Sequence, residues 1–257
     1  MHGDNTTDYL LFLADSSLIM GQRLSEWTGH GPMLEQDIAI TNISLDTIGQ
    51  ARYFYQLAAK RQNEKTGSTE ITEDTLAYLR DAHQYRNLLL TELPNGNWGQ
   101  TILKIYFYAN WQKLIYGKLI YASDKDLAAI ADKALKEVKY HTSWSSDWVK
   151  RLGDGTSESH ERMERALEYL WPYTGEMFME TDYERRQYER DKDFSLDTIR
   201  KEWTEEVYHI LQEATLTLPQ ADTFMHKGGK KGVHTEYLGY ILAEMQFLQR
   251  AYPGCEW

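Results

Sequence analysis

The sequence is poor in cysteine, proline and basic residues, and each shortage removes a class of protein. Its one cysteine, Cys255, excludes an internal disulfide and suits a reducing compartment. Lys and Arg number 28 against 39 Asp and Glu, a net charge of −11. That balance argues against nucleic acid as the main partner, because phosphate binding needs clustered cations. No stretch of about 18 apolar residues occurs, so no membrane span is expected. The N-terminal "MHGDNTTDYLLFLADSS" lacks a basic start, and Asp15 interrupts its apolar run. No signal peptide is expected, and the predicted location is the cytoplasm. Five prolines in 257 residues leave long stretches free of helix breakers.

Those stretches carry helical apolar spacing, and β-alternation is scarce. The spacing predicts helices over 8–28, 33–63, 73–91, 98–121, 126–151, 158–182, 196–216 and 233–251. "TGHGPM", "LPNGNWG", "YASDKD" and "LGDGTSES" read as the turns between them. Pro172, inside "ALEYLWPYTGEMF", predicts a kink or break. No Gly-, Ser- or Pro-rich linker and no fixed-period repeat divides the chain. The expectation is one all-α domain, 1–257, in which long helices on short loops lie antiparallel as a bundle. Eight Trp and eighteen Tyr suggest broad packed surfaces, including an interface.

Several long helices carry a polar residue among apolar neighbours: Asp15, Asp46, Asn110 and Glu137. Counting outward from the first loop sets Asp15 level with Asp46; counting from the loop near 123 sets Asn110 level with Glu137. Ferritin-like di-iron proteins place four carboxylates at this height, two of them followed by His at i+3. Here both histidine slots hold other residues, Gly49 and Tyr140, and one carboxylate is an amide. In "KEVKYH" His141 lies one place past its slot, on the same helix face as Glu137. The layer therefore reads as a degenerate metal site, and no metal is expected in this chain. Lys104, Lys139, Arg23 and Arg52 are candidates to neutralise its buried acids. "EEVYH" holds a complete Glu-x-x-His, Glu206 and His209, at a frequency chance explains.

The segments "LSEWTGHGPMLEQDIAITNISLDTIGQAR", "LPNGNWGQTI", "KEVKYH", "EATLTLP" and "GGKKGVHTEYLGYILAEMQFLQR" together cover much of the chain. In them the sequence resembles the C subunits of bacterial multicomponent phenylacetyl-CoA epoxidases, which serve aerobic phenylacetate degradation. The resemblance implies a ferritin-like fold and a non-catalytic role beside a homologous di-iron catalytic A subunit. It also implies that the di-iron cofactor belongs to that partner, and that further small subunits join a higher-order hetero-oligomer. No cofactor is implied in this chain.

"MHKGGKKGVHTEYLG" precedes the last helix and carries Lys227, Lys230 and Lys231. Glycines before a helix can cradle an anion, so these lysines are expected to meet either acidic groups on a partner or a CoA phosphate. "WVKRLGDGT" follows a helix and no strand, so it is a turn rather than a phosphate loop. Two rivals to a structural subunit stand at this point: a metal-dependent oxidase, di-iron or mononuclear, and an acyl-CoA-binding helical module.

Overall fold

The computed structural model describes residues 5–191, 194–220 and 222–255. The opening "MHGD" of the N-terminal stretch lies outside the described residues. Contacts cluster into two compact units that interleave along the sequence: 1–94 with 181–187 and 228–257, and 95–180 with 188–227. The described residues are helical, with no strand, and no helix among them is long and apolar enough to cross a membrane.

The first unit is built on a hairpin of α1 (Asn5–Ser25) and α2 (Leu34–Thr66). Gly21 lets the two helices touch: a Cβ there would lie 2.6 Å from Cγ1 of Ile48. The Ser44 hydroxyl donates to the Gly21 carbonyl at 2.8 Å, and the Tyr55 hydroxyl donates to Asp15 at 2.5 Å. These contacts set Asp46 beside Gly21 rather than beside Asp15, more than a helical turn from the expected register. The loop explains the offset. Turn hydrogen bonds carry the α1 side on to His30, and the Asp37 carboxylate accepts the N–H groups of Gly29 and Gly31. The chain thus runs back alongside the first turn of α2 before reversing.

The expected helix over 73–91 breaks into α3 (Glu73–Tyr78), a 3-10 turn at Ala82–Gln84 and α4 (Leu89–Glu92). Thr72 caps α3 by accepting from the Thr75 N–H at 3.2 Å. Farther on, the Arg86 N–H donates 2.8 Å to Asp15 instead of to a carbonyl one turn back. A side-chain acceptor has replaced the helical one, and the backbone turns out of the helix there.

The second unit is built on α5 (Trp98–Leu119) and α6 (Lys125–Gly153), with α7 (Ser157–Leu170) and α9 (Leu196–Glu213) packed against them. Asn97, Asp124, Thr156 and Ser195 cap these four helices with side-chain oxygens. The expected helix over 158–182 stops at Trp171–Tyr173, a 3-10 turn with Pro172 in its first positions, where a proline costs no hydrogen bond. Phe107, Trp171 and Trp203 meet there with ring centroids 5.6–5.9 Å apart, and the Trp203 indole donates to the Phe107 carbonyl at 3.1 Å.

The first unit closes with α8 (Asp182–Tyr188, all but its last residue), α10 (Glu236–Met245) and α11 (Phe247–Ala251). "GGKKG" enters α10 as packing rather than as an anion cradle. Gly228 and Gly232 have φ of +146° and +80°, and a Cβ on Gly229 would lie 2.2 Å from the Asn87 carbonyl oxygen. Gly229→Ala is expected to lower unfolding stability by roughly 2 kcal/mol, because the neighbour is backbone and cannot swing away. The midpoint of urea unfolding measures it.

Candidate functional site

Three carboxylates with no solvent exposure define the interior chemistry of the first unit: Asp15, Glu92 and Glu184. Each meets a basic side chain from a distant part of the chain. Asp15, on α1, takes the forked guanidinium of Arg80 on its two oxygens, together with the Tyr55 hydroxyl and the Arg86 N–H. Arg80 stacks over the Tyr85 ring at 4.4 Å and donates its Nε to the Leu76 carbonyl at 2.5 Å. Burial alone would disfavour the charged Arg80, but the Asp15 carboxylate outweighs it and holds the guanidinium protonated.

Glu92, at the end of α4, accepts four hydrogen bonds. Asn87 Nδ2 and His234 Nδ1 approach one oxygen at 2.8 and 2.6 Å, and the N–H and hydroxyl of Thr235 approach the other at 2.8 and 2.5 Å. His234 Nε2 faces the Tyr85 carbonyl at 3.1 Å. Both ring nitrogens therefore meet oxygen atoms of the same unit. Arg23 donates to the Glu92 carbonyl at 2.8 and 2.9 Å.

Glu184, on α8, takes the Lys230 ammonium at 2.7 Å and the Thr181 hydroxyl and N–H at 2.7 and 2.9 Å. Lys230 sits 4.8 Å over the Phe12 ring and is 2% exposed. It cannot reach a partner or a CoA phosphate, so that expectation is corrected: its charge is consumed inside the unit. Lys227 and Lys231 are exposed.

The other expected residues scatter. Asp46 is half-buried, and Gly49 opens onto empty space. In the second unit Trp98 meets Trp144 and Trp148 at 6.0 Å, which sets Glu137 within about a turn of the height of Asn110. Asn110 is fully buried, and its amide finds no hydrogen-bonding partner among the described residues. Glu137 is half-buried, Tyr140 is 51% exposed and His141 is buried. The neutralising groups are also not the expected ones: Arg52 meets Glu73 at the surface, Lys139 is exposed, and buried Lys104 donates to Asn95 at 3.0 Å. In "EEVYH" Glu206 holds Lys113 at 2.5 Å, while His209 points to solvent beside Glu213.

A di-iron centre needs its carboxylate oxygens free to face metal. Those of Asp15 are filled by four donors, Gly49 has no side chain, and Asn110 is uncharged. These residues do not fit such a centre, and among the described residues no group of three or more His, Cys, Asp and Glu could hold a metal ion. A family model for "Phenylacetic acid catabolic protein" matches residues 2–257. The chain belongs to this family. The C subunit of the 1,2-phenylacetyl-CoA epoxidase of Escherichia coli (strain K12) is 45% identical over 251 residues, 98% of this chain and 98% of that one. The phenylacetic acid catabolic family has the ferritin-like helical fold that the resemblance implied.

Sequence reasoning missed Glu92, Glu184, Arg80 and His234. Glu92 carried a signal, since "LLLTELP" sets one acid inside an apolar run. The cations carried none, because each comes from a segment far along the chain.

Arg80→Met is expected to cost about 3–5 kcal/mol, because Asp15 then stays buried without a cation. Adding Asp15→Asn should recover part of the loss, and chemical denaturation of the single and double variants measures both. Alkaline pH should act through tyrosines. Burial, reinforced by the Asp15 charge, raises Tyr55 well above its ordinary value of 10.0, and burial raises Tyr85 and Tyr106 too. The unfolded chain loses these protons above pH 10 while the folded chain keeps them. Stability is thus full below pH 10 and falls above it, by about 1.4 kcal/mol per pH unit for each tyrosine. Tyrosinate absorbance followed alongside urea unfolding checks it.

Proposed function

We propose that this chain is a structural, non-catalytic subunit of a phenylacetyl-CoA epoxidase, and that it binds and stabilises a homologous di-iron catalytic subunit in the cytoplasm. The reading extends to a higher-order hetero-oligomer with further small subunits and to a chain that works as one ferritin-like domain. The observation that carries it is the saturation of Asp15: the carboxylate expected from the sequence as a remnant metal ligand is spent on Arg80, Tyr55 and the Arg86 N–H. The 45% identity to an epoxidase C subunit over nearly the full length of both chains supports the same role. Buried acids without a metal remain tolerable once internal donors compensate their charge. In this reading Glu137 and His141 serve packing and the polar interior of α6, and exposed Lys227 and Lys231 meet acidic groups of a partner or a CoA phosphate.

A metal-dependent oxidase would need ligands that Gly49, Asn110 and Tyr140 do not supply. An acyl-CoA-binding module loses its best anion loop, because the glycines pack on backbone and Lys230 turns inward. Co-expression with the catalytic subunit, followed by native mass measurement, is expected to give one complex containing both chains. The chain purified alone and reconstituted anaerobically with ferrous iron is expected to retain far less than one iron. Near-stoichiometric iron that disappears in Glu137→Ala, or separate elution of the two chains, would overturn the reading.

A further inference from the structure

Helix α2 is apolar on two faces and covered on one. Ile43, Thr47, Gln50, Phe54, Leu57 and Ala58 are buried against its own unit. On the far side Leu34, Ile38, Leu45 and Tyr53 are 70%, 52%, 62% and 37% exposed. Four charges share that side: Glu35 and Asp46 on its N-terminal half, Arg52 and Lys60 on its C-terminal half. At 100° per residue these eight side chains fall within an arc of about 120°. In the middle of the arc, between the acidic and the basic half, is Gly49, where no described atom lies within 4 Å of a would-be Cβ. A glycine in mid-helix costs stability, and the space this one leaves opens outward.

We infer that this face of α2 pairs with the same face of a second copy of the chain, antiparallel, about a two-fold axis beside Gly49. The stripe is its own complement when reversed. In such a pair each residue after Gly49 lies level with the residue equally far before Gly49 on the other copy. Tyr53 of one copy is then level with Leu45 of the other, on opposite sides of the seam, so the two side chains pack beside one another. Arg52 is level with Asp46. Lys60 is level with Ile38 and about 4.5 Å along the axis from Glu35, on the same side of the seam. Glu64, at the edge of the arc, is the one acid in the basic half and leaves that half net positive. A parallel copy would instead set acid on acid and base on base. Two glycines at the crossing let the backbones approach there. A foreign helix would have to carry this reversed pattern, and the chain itself supplies it. The whole chain carries −11 and a single helix seam is a small interface, so the pairing is expected at micromolar concentration. This contact needs no catalytic subunit, and it gives the higher-order hetero-oligomer proposed above a centre.

Sedimentation equilibrium of the purified chain is expected to show a concentration-dependent dimer. Gly49→Leu touches none of this chain's described atoms and raises helix propensity, so it should melt like the parent while weakening the dimer at least ten-fold. Glu35→Lys and Lys60→Glu should each weaken it about ten-fold at low salt and less at high salt. The double variant, with both charges exchanged, should regain most of the parent's affinity, because each lysine then meets a glutamate again. A chain that stays monomeric at several hundred micromolar, or a dimer that Gly49→Leu leaves intact, would overturn the assignment. A double variant no tighter than the single ones would overturn the antiparallel pairing. A monomer whose binding to the catalytic subunit is lost in Gly49→Leu would give this face to that subunit instead, leaving the subunit role standing and this inference wrong.

Discussion

The first unit is organised around a carboxylate that has no water. Asp15 lies on α1 with no solvent exposure, and an ionised carboxylate in that setting is tolerable only with a cation and hydrogen bonds on nearly every lone pair. Meeting that demand draws Tyr55 from α2, the guanidinium of Arg80 and the backbone of Arg86 to one point. The demand also shapes the backbone, since the Arg86 N–H leaves the helical pattern to reach the acid. One buried charge thereby ties α1 to α2, to Arg80 just past α3 and to the backbone that leads into α4.

The same logic recurs at Glu92 and Glu184, and there it reaches the C-terminal segment. Lys230, His234 and Thr235 lie within six residues of one another and supply donors to both acids. Gln246 extends the tie by donating to the Arg80 carbonyl at 2.9 Å and to the Tyr85 hydroxyl at 3.0 Å. The Gly-rich entry to α10 is the steric counterpart, because glycines allow its backbone to press on residues 83–89 closely enough for those donors to arrive. Polar pairing and close backbone approach are one device, and neither works without the other.

This chemistry bears on what the chain can do. A metal site needs carboxylate oxygens that face the metal, whereas Asp15 and Glu184 are held on cations and Glu92 on four internal hydrogen-bonding groups. The three buried acids of the first unit are thus engaged by groups of the same unit.

Local chemistry was enough to read the helical class, the turns that precede α5, α6 and α7, and the break at Pro172, because apolar spacing, turn residues and proline sterics act within a few residues. Asp15 was legible as well, since a carboxylate inside an apolar run stands out, and Glu92 carried the same signal. The partners of those acids were not. Arg80 is 65 residues from Asp15 and His234 is 142 from Glu92, and nothing local ties either side chain to either acid. Register was likewise beyond sequence, because a loop that folds back on Asp37 shifts the helices without changing the apolar pattern of either one. The orientation of Lys230 had the same cause: a lysine beside three glycines reads as solvent-facing until Glu184 and Phe12 are seen to enclose it. Local propensities decided which segments are helical; only the tertiary structure decided which charges meet, because that depends on long-range packing that brings distant segments within 3 Å.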